Sequence, residues 1–241
     1  MITKAQVKHI QSLDDKKYRS THQLFVVEGT KMVNELLNSK FKIKTLYAVS
    51  DWLNTNQIDS HDFEIVEVED FELARISSLK TPNQVLAIVH LPNNSTQSTR
   101  LAILLDGLQD PGNLGSIIRI ADWYHISTIY CSENCADAYN SKVIQASMGS
   151  VFRINIVKCD LLSLLETYPD IPSYACVLDG KDINSFPKIQ EGFIIIGNES
   201  KGIQDSIISR VKHKVTILPK GGAESLNAAV ATGIICHCML S

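Results

Sequence analysis

Leu101-Ala102-Ile103-Leu104-Leu105-Asp106-Gly107-Leu108-Gln109-Asp110-Pro111-Gly112-Asn113-Leu114-Gly115-Ser116-Ile117-Ile118-Arg119 is the stretch that decides the fold. Five uninterrupted apolar residues form a strand too hydrophobic for a sheet with one wet face. A loop of Gly, Pro and Asn follows, then a helix predicted from Ser116 to Tyr124. The glycines permit tight turns and close approach of another backbone. Asn113 is placed to cap the helix or to bind. Arg119 lies among Ile117, Ile118, Ile120 and Ala121. An arginine there needs an anionic or carbonyl partner, either a ligand or a core carboxylate.

The same alternation continues toward the C-terminus. Ser127–Cys131, Ile154–Val157, Tyr174–Leu178, Phe193–Ile196 and Val215–Leu218 read as strands. Asn140–Met148, Leu161–Tyr168, Ile203–Val211 and Ser225–Met239 read as helices. Apolar strands separated by helices indicate an α/β fold with a parallel sheet covered on both faces. Ligands bind such sheets at loops beyond the strand carboxyl ends.

Toward the N-terminus the pattern breaks at Pro92-Asn93-Asn94-Ser95-Thr96-Gln97-Ser98-Thr99, a polar stretch without periodicity. Taking 92–99 as a linker leaves a domain at 1–91 and another at 100–241. In the first, helical patterns over Thr3–Leu13, Asp14–Ser20, Thr30–Leu37 and Asp70–Ser77 alternate with extended ones. The extended segments are Leu24–Val27, Ile43–Val49, Phe63–Val68 and Val85–His90, giving a small α/β domain.

The whole chain has 241 residues and a net charge of −3, which disfavours a nucleic-acid partner until its distribution is read. Residues 1–44 hold nine Lys/Arg against four acids, a net +5, and the remainder is −8. A basic end on an acidic chain suits a local anionic partner, although a solvated helix face has the same composition. Met1–Leu13 lacks a signal peptide's apolar core, and no apolar run is long enough to span a membrane, so a cytoplasmic protein is expected. The cysteines are scattered. Cys131 and Cys135, or Cys236, His237 and Cys238, lack the C-x-x-C spacing of zinc knuckles, so no metal is expected.

Two further loops have a chemical look. Ile194-Ile195-Ile196-Gly197-Asn198-Glu199-Ser200-Lys201-Gly202 ends a strand in a glycine that could admit a ligand, with Glu199 at the sheet's mouth or at the next helix's N-terminus. Ile217-Leu218-Pro219-Lys220-Gly221-Gly222-Ala223-Glu224-Ser225-Leu226-Asn227 leads from a strand to a helix. There Ser225 and Asn227 could share one side, or Ser225 could simply cap the helix. No G-x-G-x-x-G, no phosphate loop and no G-x-S-x-G elbow is present, which disfavours dinucleotide enzymes, NTPases and serine hydrolases.

In order and position, Asp110–Arg119, Ile196–Glu199 and Glu224–Asn227 resemble the three motifs of the SpoU (TrmH-like) branch of the SPOUT RNA methyltransferases. Ser147–Arg153 resembles a further family segment. Tyr18–Gly29 resembles the family's ribosomal-protein-L30e-like substrate-binding extension, an arrangement typical of members acting on ribosomal RNA. The resemblance implies a deep C-terminal trefoil knot, an exception to the rule against knots. It implies S-adenosyl-L-methionine (AdoMet) as methyl donor, a homodimer, and methyl transfer to a ribose 2′-hydroxyl. Asn113, Arg119, Glu199, Ser225 and Asn227 match the catalytic positions, and Leu178, Gly197, Ile217, Leu218 and Leu226 the cofactor contacts. Lys16, Lys17, Arg19 and His22 are the expected RNA contacts. Ala228 replaces a usual valine, and Lys220-Gly221-Gly222 a usual Met-x-Gly. The alternatives are the same reaction on transfer RNA, or an RNA-binding assembly factor without turnover.

Overall fold

The computed structural model describes residues 1–58, 62–93 and 99–241; residues 94–98 of the expected linker lie outside them. The chain forms two compact units, Met1–Asn93 with Tyr139–Phe152, and Asn94–Ala138 with Arg153–Ser241. The first unit therefore includes a segment that follows the expected linker in sequence.

In the first unit, α1 (Lys4–Ser12) starts at a capping box in which the Thr3 and Gln6 side chains and backbones satisfy each other. After α2 (Lys16–His22), strands β1 (Leu24–Glu28), β2 (Ile43–Ala48), β3 (Glu64–Glu67) and β4 (Val85–His90) pair in the order β1-β4-β2-β3. Helices α3 (Thr30–Leu37), α4 (Ser50–Asn56) and α5 (Asp70–Ile76) connect them. Strand β4 is buried at five successive positions, as a central strand should be. One core joins Ile10, Leu13, Leu24, Tyr47, Leu73 and Leu86. The later segment contributes α7 (Ser141–Ser147), capped by Asn140. The Gln145 Nε2 donates to the Glu28 carbonyl at 3.0 Å, and Tyr139 and Phe152 extend the Phe25–Phe41 ring cluster.

In the second unit, β5 (Leu101–Leu105), β6 (Thr128–Cys131), β7 (Asn155–Lys158), β8 (Ser173–Asp182), β9 (Gly192–Ile196) and β10 (His213–Thr216) form an all-parallel sheet. Its order is β10-β8-β9-β5-β6-β7. The chain runs outward from β5 to β7, then returns to the other side of β5, so the topological switch lies between β5 and β9. The loops after those two strands flank it. Helices α6 (Pro111–Trp123), α8 (Leu161–Thr167), α9 (Asp205–Ile208) and α10 (Ala228–Leu240) complete the unit. Leu104, Tyr130, Val157, Leu165, Phe193 and Ile195 lie in one of its cores.

Three boundaries depart from the sequence pattern. Helix α6 begins at Pro111, not Ser116, because Asp110 caps it by accepting from the Asn113 N–H and proline suits the first helical position. Helix α9 is a single turn rather than the nine residues expected over 203–211. Helix α10 begins at Ala228 because Asn227, not Ser225, caps it, accepting from the N–H groups of Ala229 and Val230. The β8–β10 register jumps between Lys214 and Val215, and a Cβ at Gly180 would lie 2.7 Å from the Val215 nitrogen. Only glycine tolerates that approach.

Candidate active site

The carboxyl ends of β5, β9, β8 and β10 are contiguous in the sheet, so the loops that follow them share one rim. Glu199, after β9, accepts from the Asn113 Nδ2 at 3.0 Å and from the backbone N–H groups of Asp110 and Gln109 at 3.3 and 3.5 Å. Asn113, on the first turn of α6, accepts at Oδ1 from the Asn227 Nδ2 at 2.8 Å. Asn227 in turn accepts from the start of α10. A carboxylate can only accept. It therefore orients the Asn113 amide, which orients the Asn227 amide, so one ionised group sets the direction of the network. Burial pushes the Glu199 carboxyl up, but the Asn113 amide and the backbone N–H groups outweigh it and hold the group below the ordinary glutamate value. Glu199 is thus bonded to the first loop and does not sit at the N-terminus of α9.

Beneath this network lies a second one whose residues the sequence reading did not single out. Asp106 is buried and accepts from the Gln204 N–H at 2.8 Å and from its Nε2 at 2.6 Å. The Asn198 Nδ2 donates to the Gly107 carbonyl at 2.7 Å, while the Asn198 Oδ1 accepts from the N–H groups of Ser200 and Lys201. The Ser132 hydroxyl accepts from the Gly107 N–H at 2.8 Å. An acid ending an apolar strand was the available signal for Asp106.

Gly197 also has a structural reason to be glycine. A Cβ there would lie 2.3 Å from the Gly202 carbonyl carbon and 2.5 Å from the Ile203 nitrogen. The returning backbone of its own loop, bridged from Asn198 to Gly202, occupies that space. Leu178, Leu218 and Leu226 are 75%, 55% and 47% exposed, and Ile217 is half-buried. The Thr216 hydroxyl donates to the Leu178 carbonyl at 3.3 Å, which places Leu178 beside the end of β10 and so near Leu218. Three leucines in water around one rim are the apolar surface a partly apolar ligand would cover.

Arg119 is exposed on α6, about 9 Å along the helix axis from Asn113. It has no carboxylate partner among the described residues, so the structural ion pair that its apolar neighbourhood allowed is not formed. Ser225 is exposed and makes no cap. A groove of about 570 Å³ beside the network is lined by Asn113, Ser116, Ile120, Asn227, Val230 and Gly233, among others. Among the described residues, no three His, Cys, Asp or Glu side chains converge as a metal site would require.

Residues 100–237 match the SpoU rRNA Methylase family. The chain belongs to that family. Residues 4–87 match the MRM3-like substrate binding domain. A solved structure of a putative RNA methyltransferase of the TrmH family from Porphyromonas gingivalis superposes with a TM-score of 0.92. It is 34% identical, covering 100% of this chain and 98% of that one. An AdoMet-bound rRNA methyltransferase from Sinorhizobium meliloti gives a TM-score of 0.88 at 28% identity, covering 99% and 95%. The Bacillus subtilis 23S rRNA (guanosine(2553)-2′-O)-methyltransferase RlmP is 28% identical over 234 residues, 96% of this chain and 94% of that one. The SpoU motif segments are the three loops that the Glu199–Asn113–Asn227 network ties together.

In the substrate-binding domain, Lys16, Lys17 and His22 are exposed on α2. Arg19 is not: it is 3% exposed, and its Nη1 donates to the Leu13 and Asp14 carbonyls at 2.7 Å each. The expected phosphate contact at Arg19 is therefore corrected. Its guanidinium closes the C-terminal end of α1 instead, where carbonyls lack helical partners.

Proposed function

We propose that this chain transfers the methyl group of AdoMet to a ribose 2′-hydroxyl of ribosomal RNA. The observation that carries the reading is the hydrogen-bonded line Glu199–Asn113–Asn227, which fixes all three motif loops beside the exposed Leu178, Leu218 and Leu226. That rim suits AdoMet: the leucines would cover its apolar surface, and Ile217 and Gly197 would offer backbone contacts. AdoMet, when bound, supplies an electrophilic methyl carbon on a sulfonium.

The protein's own part is positioning and charge. Arg119 brings a planar fork of hydrogen-bond donors and a positive charge. Exposed and without an ion-pair partner among the described residues, it is available to hold the target phosphate and stabilise charge developing on the 2′-oxygen. Asn113 and Glu199 hold the first and second loops, Asn227 ties the third to them, and Ser225 and Asn227 would orient the cofactor end and Arg119. Holding oxygen, carbon and sulfur in line can supply up to about 7–11 kcal/mol.

The same proposal assigns substrate binding to 1–91, a linker to 92–99 and methyl transfer to 100–241, threads the C-terminal loops as a trefoil knot, and places the protein in the cytoplasm. No helix among the described residues is long and apolar enough to cross a membrane. It also includes a homodimer, supported by α10. That helix is strongly apolar, yet Val230, which lines the groove, is exposed on it, as is Trp123 on α6. Helices of that composition are normally covered.

The test is incubation of the purified protein with methyl-labelled AdoMet and rRNA lacking the modification, followed by nucleoside mass spectrometry. A 2′-O-methylnucleoside is expected. Methylation of transfer RNA alone would move the substrate, and RNA binding without transfer would leave an assembly factor.

A further inference from the structure

We propose that Tyr18 and His22 form a stacking platform for an unpaired nucleobase of the substrate RNA, flanked by Lys16, Lys17 and Lys44. This rests on the reading of the chain as an RNA methyltransferase and adds a recognition mode to it. Tyr18 and His22 lie one turn apart on α2, with rings 11° from parallel and centroids 6.3 Å apart. His9 of α1 meets the His22 ring at 4.8 Å and 86°, which helps to hold its orientation. Tyr18 is 45% exposed, and neither it nor His22 belongs to the core of the domain.

Helix α2 reads Lys-Lys-Tyr-Arg-Ser-Thr-His, so the rings have no aliphatic neighbour on their own helix. A protein-docking patch would bring such neighbours. The surroundings here are cationic. Lys16 and Lys17 open the helix, and Asp15 is occupied as its cap, accepting from the Lys17 N–H at 2.8 Å. Lys44 is near enough that its charge, after burial and the charge of His22, lowers the His9 pKa. Lys44 on β2 is exposed, as is Lys42 just before that strand, while Phe41 packs in the ring cluster and Ile43 is half-buried.

Flat ring faces do not bind phosphate; they stack on bases. A base offers its face only where it is unpaired and splayed out. The lysines would hold the backbone of the same strand while the rings take the base, the combination used by single-strand binders.

The test is fluorescence anisotropy of the full-length protein with a short fluorescein-labelled oligouridylate and with an RNA duplex of equal length, over a range of salt. Tyr18→Ala should weaken oligouridylate binding about tenfold, leave its salt slope unchanged and leave duplex binding alone. His22→Ala should act in the same direction, and Tyr18→Phe should bind within about twofold of the parent, because stacking needs the ring and not the hydroxyl. Lys16→Gln with Lys17→Gln should instead flatten the salt slope. Parent-like oligouridylate binding by Tyr18→Ala, equal losses on duplex, or a loss in Tyr18→Phe as large as in Tyr18→Ala would each overturn the platform. If the parent protein methylates rRNA while Tyr18→Ala binds the oligonucleotide normally, only the platform fails. If the parent neither binds nor methylates RNA, the functional reading fails and the platform with it.

Discussion

Asn227 donates from Nδ2 to the Oδ1 of Asn113 at 2.8 Å, joining the cap of the last helix to the first turn of a helix 114 residues earlier. Because Asn113 also donates to Glu199, neither amide can flip without losing a bond. Replacing Asn113 with Ala should lower kcat at least about tenfold, since a loosened constellation loses positioning. A double-mutant cycle of Asn113→Ala and Asn227→Ala, read in kcat/KM, should show coupling of about 0.5–3 kcal/mol. Strict additivity would mean that the bond has no part in catalysis.

Arg119 offers a cleaner separation of folding from chemistry. It is exposed and forms no ion pair among the described residues, so Arg119→Ala should leave thermal stability and calorimetric AdoMet affinity nearly unchanged. Methyl transfer should fall by about 100-fold or more. Lysine keeps the charge without the planar fork, and should restore little. Turnover of Arg119→Ala near the parent rate would remove the residue from the mechanism.

The Glu199 carboxyl is held below its ordinary value, so it is ionised in the fold at pH values where the unfolded chain would protonate it. Its contribution is complete above the unfolded glutamate range and is lost as pH falls through the lower folded value. Urea unfolding of the parent and Glu199→Gln across pH should show a constant difference at neutral pH that shrinks only under acid conditions. A difference that grows as pH falls would contradict the assigned hydrogen bonds.

Gly197 and Asp106 are predicted to fail through structure. Gly197→Ala puts a methyl within 2.3 Å of backbone, so the Asn198–Gly202 turn must open, at a cost of about 1–3 kcal/mol. Asp106→Ala removes both Gln204 hydrogen bonds to a buried carboxylate, costing about 1.5–3 kcal/mol. Both should lower the denaturation midpoint, and AdoMet affinity should fall with it. Unchanged midpoints would show that the loop has another support.

Arg19 and its lysine neighbours should part company. Arg19→Ala should destabilise the first unit by about 2 kcal/mol through the lost Leu13 and Asp14 contacts. The salt slope of RNA binding by the folded fraction should not change. A flattened slope in that variant, at parent stability, would put Arg19 back on the phosphate.

By itself, the sequence determined the alternation of strand and helix, the parallel sheet and the three loops at its carboxyl edge. Apolar runs such as Phe193–Ile196 are buried whatever surrounds them, and Gly, Pro and Asn mark turns locally. It also marked Asn113, Glu199 and Asn227, but not that they bond to one another, since hydrogen bonds across 86 and 114 residues depend on strand order. Only the tertiary structure decided between the two meanings of an arginine. Arg19 sits in a basic run yet is buried on carbonyls, and Arg119 sits among isoleucines yet faces solvent. The physical reason is that a guanidinium goes where unpaired oxygens need it, and the positions of those oxygens are set by packing rather than by neighbouring residues.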